Sequence, residues 1–338
     1  MSSLLTLPEI LDWLKAAAPN AELTSDSRSV RAGDVFVAYP GDETDGRSFI
    51  SDAVERGAAA VVYEAVDCTW QAEWDAPHLA VDNLKAHAGE IAAQFYGQPD
   101  SVMSTIAVTG TNGKTSCSQW LAHALSRLGE PTAVVGTLGV GVFRNGAAGN
   151  LSANGYTTPD AVLLQRTLAE MRKHGATTLA IEASSIGLHQ GRLSGMHIDI
   201  ALFTNFTRDH LDYHGDMTAY EEAKNILFDW LGLRYAIINL DDAMGLRLVE
   251  RIRCNNPDTV IIGYTLTNNE FSGVDVLRAT EIHSTQTAPR SSFPAALAVR
   301  MSKHSWSVSS MSAMSWRLSA RCWQKASTGA RRSQRWKC

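Results

Sequence analysis

Residues 104–129, STIAVTGTNGKTSCSQWLAHALSRLG, limit the fold more than any other stretch of the chain. An apolar, β-branched run meets Gly110 and Gly113, then Lys114, Thr115 and a stretch of helical spacing that stops at Gly129. Strand, glycine turn and helix form the repeating unit of parallel α/β sheets, and the turn is where such sheets hold phosphate. The backbone N–H groups of Gly110 to Thr115 are expected to point inward, and the helix N-terminus adds about half a positive charge. Lys114 is placed to reach the β- and γ-phosphates of a nucleotide, and the Thr115 hydroxyl to ligate Mg²⁺. The loop set read this way is Gly110, Thr111, Asn112, Gly113, Lys114, Thr115 and Ser116. It is shorter than G-x-x-x-x-G-K-[ST], which needs a glycine at position 108, where the chain has Val. A Gly-Lys-Thr turn without function is the plain alternative; the flanking strand and helix argue against it.

The same alternation runs along the chain. A helix is expected over residues 4–18, a strand over 33–41, a helix and strand over 49–64, and a helix over 82–96. Gly97 and Pro99 mark the best domain boundary. Beyond it, strands are expected at 132–137, 177–185, 199–205, 235–242 and 259–264, with helices at 159–175, 218–231 and 243–253. Residues 138–156, rich in Gly and Asn, read as loop or hairpin. The fold class is α/β: an N-terminal α/β domain over 1–97 and a P-loop-type, mostly parallel sheet covered by helices over 98–290.

Composition excludes more than it assigns. In 338 residues, hydrophobic side chains make up 45% and charged ones 19%, with a net charge of −5. That balance points away from a general nucleic-acid or membrane-surface binder. Cys68, Cys117, Cys254, Cys322 and Cys338 show no C-x-x-C spacing and read as reduced thiols. Glu9 and Asp12 sit where a secretory leader would be basic and then apolar, and no run reaches the length of a membrane span. The expectation is a cytoplasmic protein. The segment 291–338 differs from the rest. It holds four of the nine Trp and no acidic residue. A basic RNA- or membrane-binding tail is one reading; a segment foreign to the fold, such as a shifted reading frame, is the one its composition favours.

Polar residues fall where a parallel sheet presents its ligands, beyond the C-terminal strand ends. Glu182 ends one strand and Asn205 another. A carboxylate at 182 is placed to hold Mg²⁺ directly or through water. His210 and His214 are spaced for zinc on a helix, but Gly215 and the acidic neighbours suggest a loop, and no Cys or third His is close in sequence. Lys224, preceded by Glu221 and Glu222, reads from spacing alone as a solvated helix face.

Three ordered motifs, TGTNGKT (109–115), EASSIGLHQGRL (182–193) and TNFTRDHLDYHGDMTAYEEAK (204–224), resemble those of the Mur ligases, ATP-dependent amide-bond ligases of peptidoglycan precursor synthesis. In that family the cradle is G-x-x-G-K-T, so Val108 is no defect. The segment TSDSRSVRAGDVFVAYPGDETDGRSFI (24–50) narrows the resemblance to the members that add the third peptide residue. The resemblance runs from about residue 20 to about residue 285. It implies that ATP phosphorylates the D-Glu side-chain carboxylate of UDP-MurNAc-L-Ala-D-Glu, and that a diamino acid, meso-diaminopimelate rather than L-lysine, attacks the acyl phosphate. Lys114, Glu182, His210 and Lys224 would be catalytic. Thr115 and Glu182 would hold one Mg²⁺, His210 would sit at a second metal, and Lys224 would be carried as a carbamate. Ser25, Ser27, Asp42, Glu43 and Thr44 would meet the uridine diphosphate. Thr157, Thr158, Ser184, Gln190 and Arg192 would grip the muramoyl-dipeptide; Tyr156 stands where the family often has Asn. A monomer is implied.

The family's third domain, a Rossmann-like unit with a DNPR motif and the diamino-acid pocket, is expected to be absent from this chain, and the central domain to be incomplete. The 338-residue chain is therefore expected to turn over little substrate and to be marginally stable. Folylpolyglutamate synthase shares the short loop but not the domain before it. A generic P-loop NTPase with residues 1–97 as an interaction module, and a non-catalytic binder of the UDP precursor, are the other readings.

Overall fold

The computed structural model of the chain describes residues 5–42, 44–152, 155–284 and 297–302. Glu43 and, apart from residues 297–302, the segment 291–338 lie outside the described residues.

The N-terminal unit is a four-stranded parallel sheet of β1 (Leu23–Thr24), β2 (Val35–Ala38), β3 (Ala60–Glu64) and β4 (His78–Val81), in that order. β2 and β3 are buried along their whole length, which is why they read as unbroken apolar runs rather than alternating ones. Their side chains divide between two cores. Val35 and Val37 pack with Ile10 and Leu14 of α1 (Leu7–Ala17) and with Leu84 and Ile91 of α3 (Leu84–Phe95). Phe36 and Ala38 pack on the other face with Ile50 and Ala53 of α2 (Ile50–Glu55). β2 is shorter than the strand expected over 33–41, because Gly33 and the turn at Pro40 leave the sheet.

The second sheet has ten strands: β5 (Ser104–Thr109), β6 (Thr132–Gly136), β7 (Gly139–Arg144), β8 (Ala147–Ala148), β9 (Thr178–Glu182), β10 (Ile200–Phe203), β11 (Tyr235–Asn239), β12 (Val260–Thr265), β13 (Asp275–Ser284) and β14 (Leu297–Ser302). Their order is β14-β13-β12-β11-β10-β5-β9-β6-β7-β8. Pairing is parallel from β13 to β6 and antiparallel at both margins. The helices are α4 (Lys114–Arg127), α5 (Ala161–Lys173), α6 (Ser185–His189), α7 (Leu211–His214), α8 (Met217–Asn225) and α9 (Ala243–Asn255). Strand order reverses around β5: the chain first runs outward to β6, returns to β9, and then continues on the other side through β10. Such a switch point opens a crevice at the C-terminal strand ends.

One stretch fits the sequence reading and two depart from it. Residues 138–156 include the antiparallel β7 and β8, so the Gly-rich stretch is a hairpin extension of the sheet. α8 stops at Asn225, not 231: the amides of Leu227 and Phe228 bond back three residues, to the carbonyls of Lys224 and Asn225, and this tighter turn carries both side chains into the main core. Residues 297–302, inside the segment read as foreign to the fold, pair antiparallel with β13.

α5 ties the two units together. Its Val162 lies in the N-terminal core, while Leu164, Leu168 and Met171 lie in the main core. α3 also touches the second unit through backbone: a Cβ on Gly89 would lie 2.2 Å from the Ser194 carbonyl oxygen. That contact seats the turn that carries Arg192.

Candidate active site

The loop after β5 is built for close approach. Gly110 has φ +141°, and a Cβ there would lie 1.9 Å from Thr204 Oγ1. Only glycine fits against the end of β10. The loop is then fastened to the residues after β10. Thr111 N donates to the Asn205 carbonyl at 2.8 Å and Asn112 N to Asn205 Oδ1 at 3.0 Å. Asn205 Nδ2 and Thr204 Oγ1 both donate to the Asn112 carbonyl, at 3.0 and 2.7 Å. This corrects the expectation that all amides from Gly110 to Thr115 face a ligand. Asn205 occupies those of 111 and 112. The open set is the first turn of α4, Gly113 to Ser116, where helix geometry leaves N–H groups without an intrahelical partner.

Lys114 folds back over the loop and donates to the carbonyls of Gly110 at 2.8 Å and Thr111 at 3.0 Å. Burial holds its ammonium below the ordinary lysine range, with Glu182 and Asp209 opposing. Lys224 reaches the same Gly110 carbonyl at 3.1 Å and lies 4.3 Å from the ring centroid of Tyr220. It is only 1% exposed, so it is not a solvated helix face. Burial, followed by the neighbouring Lys114 charge, pushes Lys224 down to about 7.

Glu182, at the end of β9, is fully buried. Its carboxylate accepts from the Thr115 hydroxyl at 2.8 Å, from Thr137 N at 2.9 Å and from the Thr137 hydroxyl at 3.2 Å. A Cβ on Gly136 would lie 2.0 Å from Glu182 Oε1, so β6 must be bare there. No basic side chain lies within ion-pair distance of this carboxylate among the described residues. A buried carboxylate with hydroxyl and amide donors but no cation fits a hard divalent ion such as Mg²⁺.

His210 caps α7 with a left-handed backbone, φ +50°, and its ring packs edge-on to Tyr220 at 6.0 Å. His214 ends α7 and pairs with Ser185 Oγ at 3.0 Å. Burial, then the charges of His189, Lys224 and His210, hold its imidazole below the ordinary histidine range. The segment is a one-turn helix rather than the expected loop. Among the described residues no group of three His, Cys, Asp or Glu side chains is placed to hold a metal, so the His210/His214 zinc reading finds no third ligand.

The residues read as gripping the substrate form one connected network. The Thr158 hydroxyl donates to the Glu182 main-chain oxygen at 2.8 Å and pairs with Ser184 Oγ at 3.0 Å. Ser184 Oγ in turn caps α6 at Gly187 N. Thr157 meets the Thr137 hydroxyl at 3.0 Å. Arg192 donates to the Thr158 carbonyl at 2.8 Å and to Gln190 Oε1 at 2.7 Å, and stacks over Tyr156 at 5.5 Å. The N-terminal unit joins it twice: Ser25 Oγ donates to Asp160 Oδ1 at 2.8 Å, and Asp42 accepts from Gln190 and from Lys85. Ser27 is buried in a 3₁₀ turn, and Thr44 closes its own turn by accepting from Gly41 N at 2.8 Å. No hydrogen bond links Ser27 or Thr44 to this network among the described residues. Sequence reasoning passed over Thr137, Tyr213 and Tyr220. Thr137 had a signal, since it follows β6 just as Glu182 ends the neighbouring β9; the two tyrosines had none.

Fold and loop together define a P-loop-type nucleotide-binding architecture, and comparison with known proteins narrows the class. A family model described as the Mur ligase middle domain matches residues 108–303, and one described as the Mur ligase family catalytic domain matches residues 21–96. The chain belongs to the Mur ligase family. A UDP-N-acetylmuramoyl-L-alanyl-D-glutamate–2,6-diaminopimelate ligase from Janthinobacterium sp. is 69% identical over 281 residues, covering 83% of this chain and 55% of that protein. The same-named protein of Ralstonia nicotianae is 53% identical over 253 residues, covering 73% of this chain and 48% of its own. A solved structure of a ligase of that name superposes with a TM-score of 0.65 at 35% identity, covering 82% of this chain and 53% of the other. The chain thus spans about half the length of the relatives it matches.

Proposed function

We propose that this chain carries the nucleotide and precursor sites of an ATP-dependent ligase that adds meso-diaminopimelate to UDP-MurNAc-L-Ala-D-Glu, as a cytoplasmic monomer in peptidoglycan precursor synthesis. One observation carries the reading. Glu182 accepts from Thr115 of the nucleotide loop through its carboxylate and from Thr158 of the substrate network through its main chain, each at 2.8 Å. A single residue therefore joins the phosphate donor site to the acceptor site, as transfer between them requires. The Janthinobacterium and Ralstonia relatives, both 2,6-diaminopimelate ligases by name, support the choice of substrates.

In this reading the N–H groups of Gly113 to Ser116 hold the phosphates, and Lys114 leaves the loop carbonyls to meet the β- and γ-oxygens. Thr115 and Glu182 would hold Mg²⁺, with His210 at a second ion; the metal supplies charge neutralisation at the phosphates. Arg192, oriented by Gln190 and Thr158, offers its planar fork to the dipeptide, with Thr157 and Ser184 beside it. Ser25, Ser27, Asp42 and Thr44 would meet the uridine diphosphate, as would Glu43, which lies outside the described residues. The D-Glu carboxylate attacks the γ-phosphorus and ADP leaves. The amine of diaminopimelate then attacks the acyl carbon, forming the amide and releasing phosphate. Lys224, near neutrality and buried, has the unprotonated amine needed to take up CO₂ as a carbamate, which replaces one of two adjacent cations by an anion.

Calorimetry of the chain with UDP-MurNAc-L-Ala-D-Glu and with a non-hydrolysable ATP analogue tests this. Binding of both is expected. Binding of the nucleotide with no affinity for the precursor would instead favour a generic P-loop NTPase.

A further inference from the structure

The Tyr213 hydroxyl joins three parts of the fold. It lies 3.0 Å from Asp42 Oδ2, 3.2 Å from Gln190 Nε2 and 3.0 Å from His189 Nδ1. Asp42 belongs to the loop after β2, His189 and Gln190 close α6, and Tyr213 itself sits on the one-turn α7 behind His210.

Counting protons fixes the direction of every bond. A phenol has one proton and two lone pairs. The Asp42 carboxylate only accepts, so the hydroxyl proton goes there. The Gln190 amide nitrogen only donates, so it takes one lone pair. His189 faces the remaining lone pair and must donate, which puts a proton on its Nδ1. Gln190 is settled by the same logic. Its second Nε2 proton goes to Asp42, and Oε1 accepts from Arg192 Nε at 2.7 Å. The flipped amide would face oxygen to a carboxylate and N–H to a guanidinium N–H. Lys85 holds the other oxygen of Asp42, and Arg192 passes the order on to the Thr158 carbonyl.

We propose that Tyr213 is a positioning residue for the UDP-precursor, its hydroxyl orienting Asp42 and the Gln190 amide and holding His189 in the Nδ1–H form. The proposal rests on the reading of this cleft as the precursor site. It adds a residue from α7 that couples the N-terminal unit to α6. Removing the hydroxyl while keeping the ring takes away one of the two acceptors of the Gln190 amide and one of the three donors to Asp42, so the precursor meets a looser pair.

Tyr213→Phe in the full 338-residue chain tests it with two readouts. Long-range ¹H–¹⁵N spectra of ¹⁵N-histidine-labelled protein, at about pH 8 where imidazole is ordinarily neutral, report the His189 tautomer without any ligand. The wild type is expected to show Nδ1–H, and Tyr213→Phe to revert to Nε2–H. Calorimetry is expected to show affinity for UDP-MurNAc-L-Ala-D-Glu weakened about tenfold, the loss of one ordered hydrogen bond to a charged group, with ATP-analogue affinity unchanged. An unchanged His189 tautomer, or unchanged precursor affinity, overturns the positioning role while the precursor reading stands. Equal loss of both ligands assigns Tyr213 to general stability and also overturns it. Wild-type Nδ1–H with no affinity for the precursor overturns the reading of the cleft, and the substrate role with it.

Discussion

The Gly110 carbonyl accepts from two ammonium groups at once, Lys114 at 2.8 Å and Lys224 at 3.1 Å. Neither lysine has a carboxylate within ion-pair distance among the described residues. Two buried cations sharing a neutral oxygen are costly without an anion, so this pair marks where negative charge is received.

The cost has a pH signature. Lys224 is held at about 7 against an ordinary 10.5. Below about pH 7 folded and unfolded chains both carry the proton, and the folded state bears the full penalty. Between about 7 and 10.5 the unfolded chain binds more protons, so stability rises with pH. In CO₂-free buffer, Lys224→Met is expected to be more stable than wild type near neutrality, with the difference shrinking toward pH 10. Urea unfolding across that range measures it; a difference independent of pH would contradict the assignment.

Gly110→Ala forces a Cβ to within 1.9 Å of Thr204 Oγ1 at φ +141°. Backbone strain of this kind costs about 1–3 kcal/mol, and Thr204 must release the Asn112 carbonyl. A lowered melting temperature together with lost ATP-analogue binding is the expected result.

Glu182→Gln keeps an acceptor for Thr137 N but removes the charge facing Thr115. ATP-analogue affinity is expected to lose its dependence on Mg²⁺, by about tenfold at saturating metal, while metal-free affinity holds. Titrations with and without Mg²⁺ separate the two.

Arg192→Lys retains the cation and loses the fork that spans Gln190 and Thr158. Precursor affinity is expected to fall about tenfold, with ATP-analogue binding intact.

How much of this was legible follows from where each signal lies. The loop, its strand and α4 are contiguous, so Lys114 and Thr115 could be placed from sequence. The position of Glu182 at the end of β9 was legible because a strand end is a local feature. Lys224 could not be placed from spacing: two glutamates beside it suggested solvent, and only packing of α8 against the loop buries it. The engagement of the 111 and 112 amides by Asn205 spans 93 residues and left no local trace. Tyr213 is the same case, since its partner Asp42 lies 171 residues away. β14 was missed because its strand pairs inside a stretch whose composition resembles no folded segment.

Positional isotope exchange shows whether the nucleotide loop and the dipeptide site act together across Glu182. ATP labelled with oxygen-18 in the β–γ bridge is incubated with the chain and Mg²⁺, with and without UDP-MurNAc-L-Ala-D-Glu and with no diamino acid present. Reversible transfer to the substrate carboxylate frees the β-phosphate to rotate, so scrambling of the label is expected only when the precursor is present. Scrambling without the precursor, or none with the precursor bound, would show that the two sites do not act together.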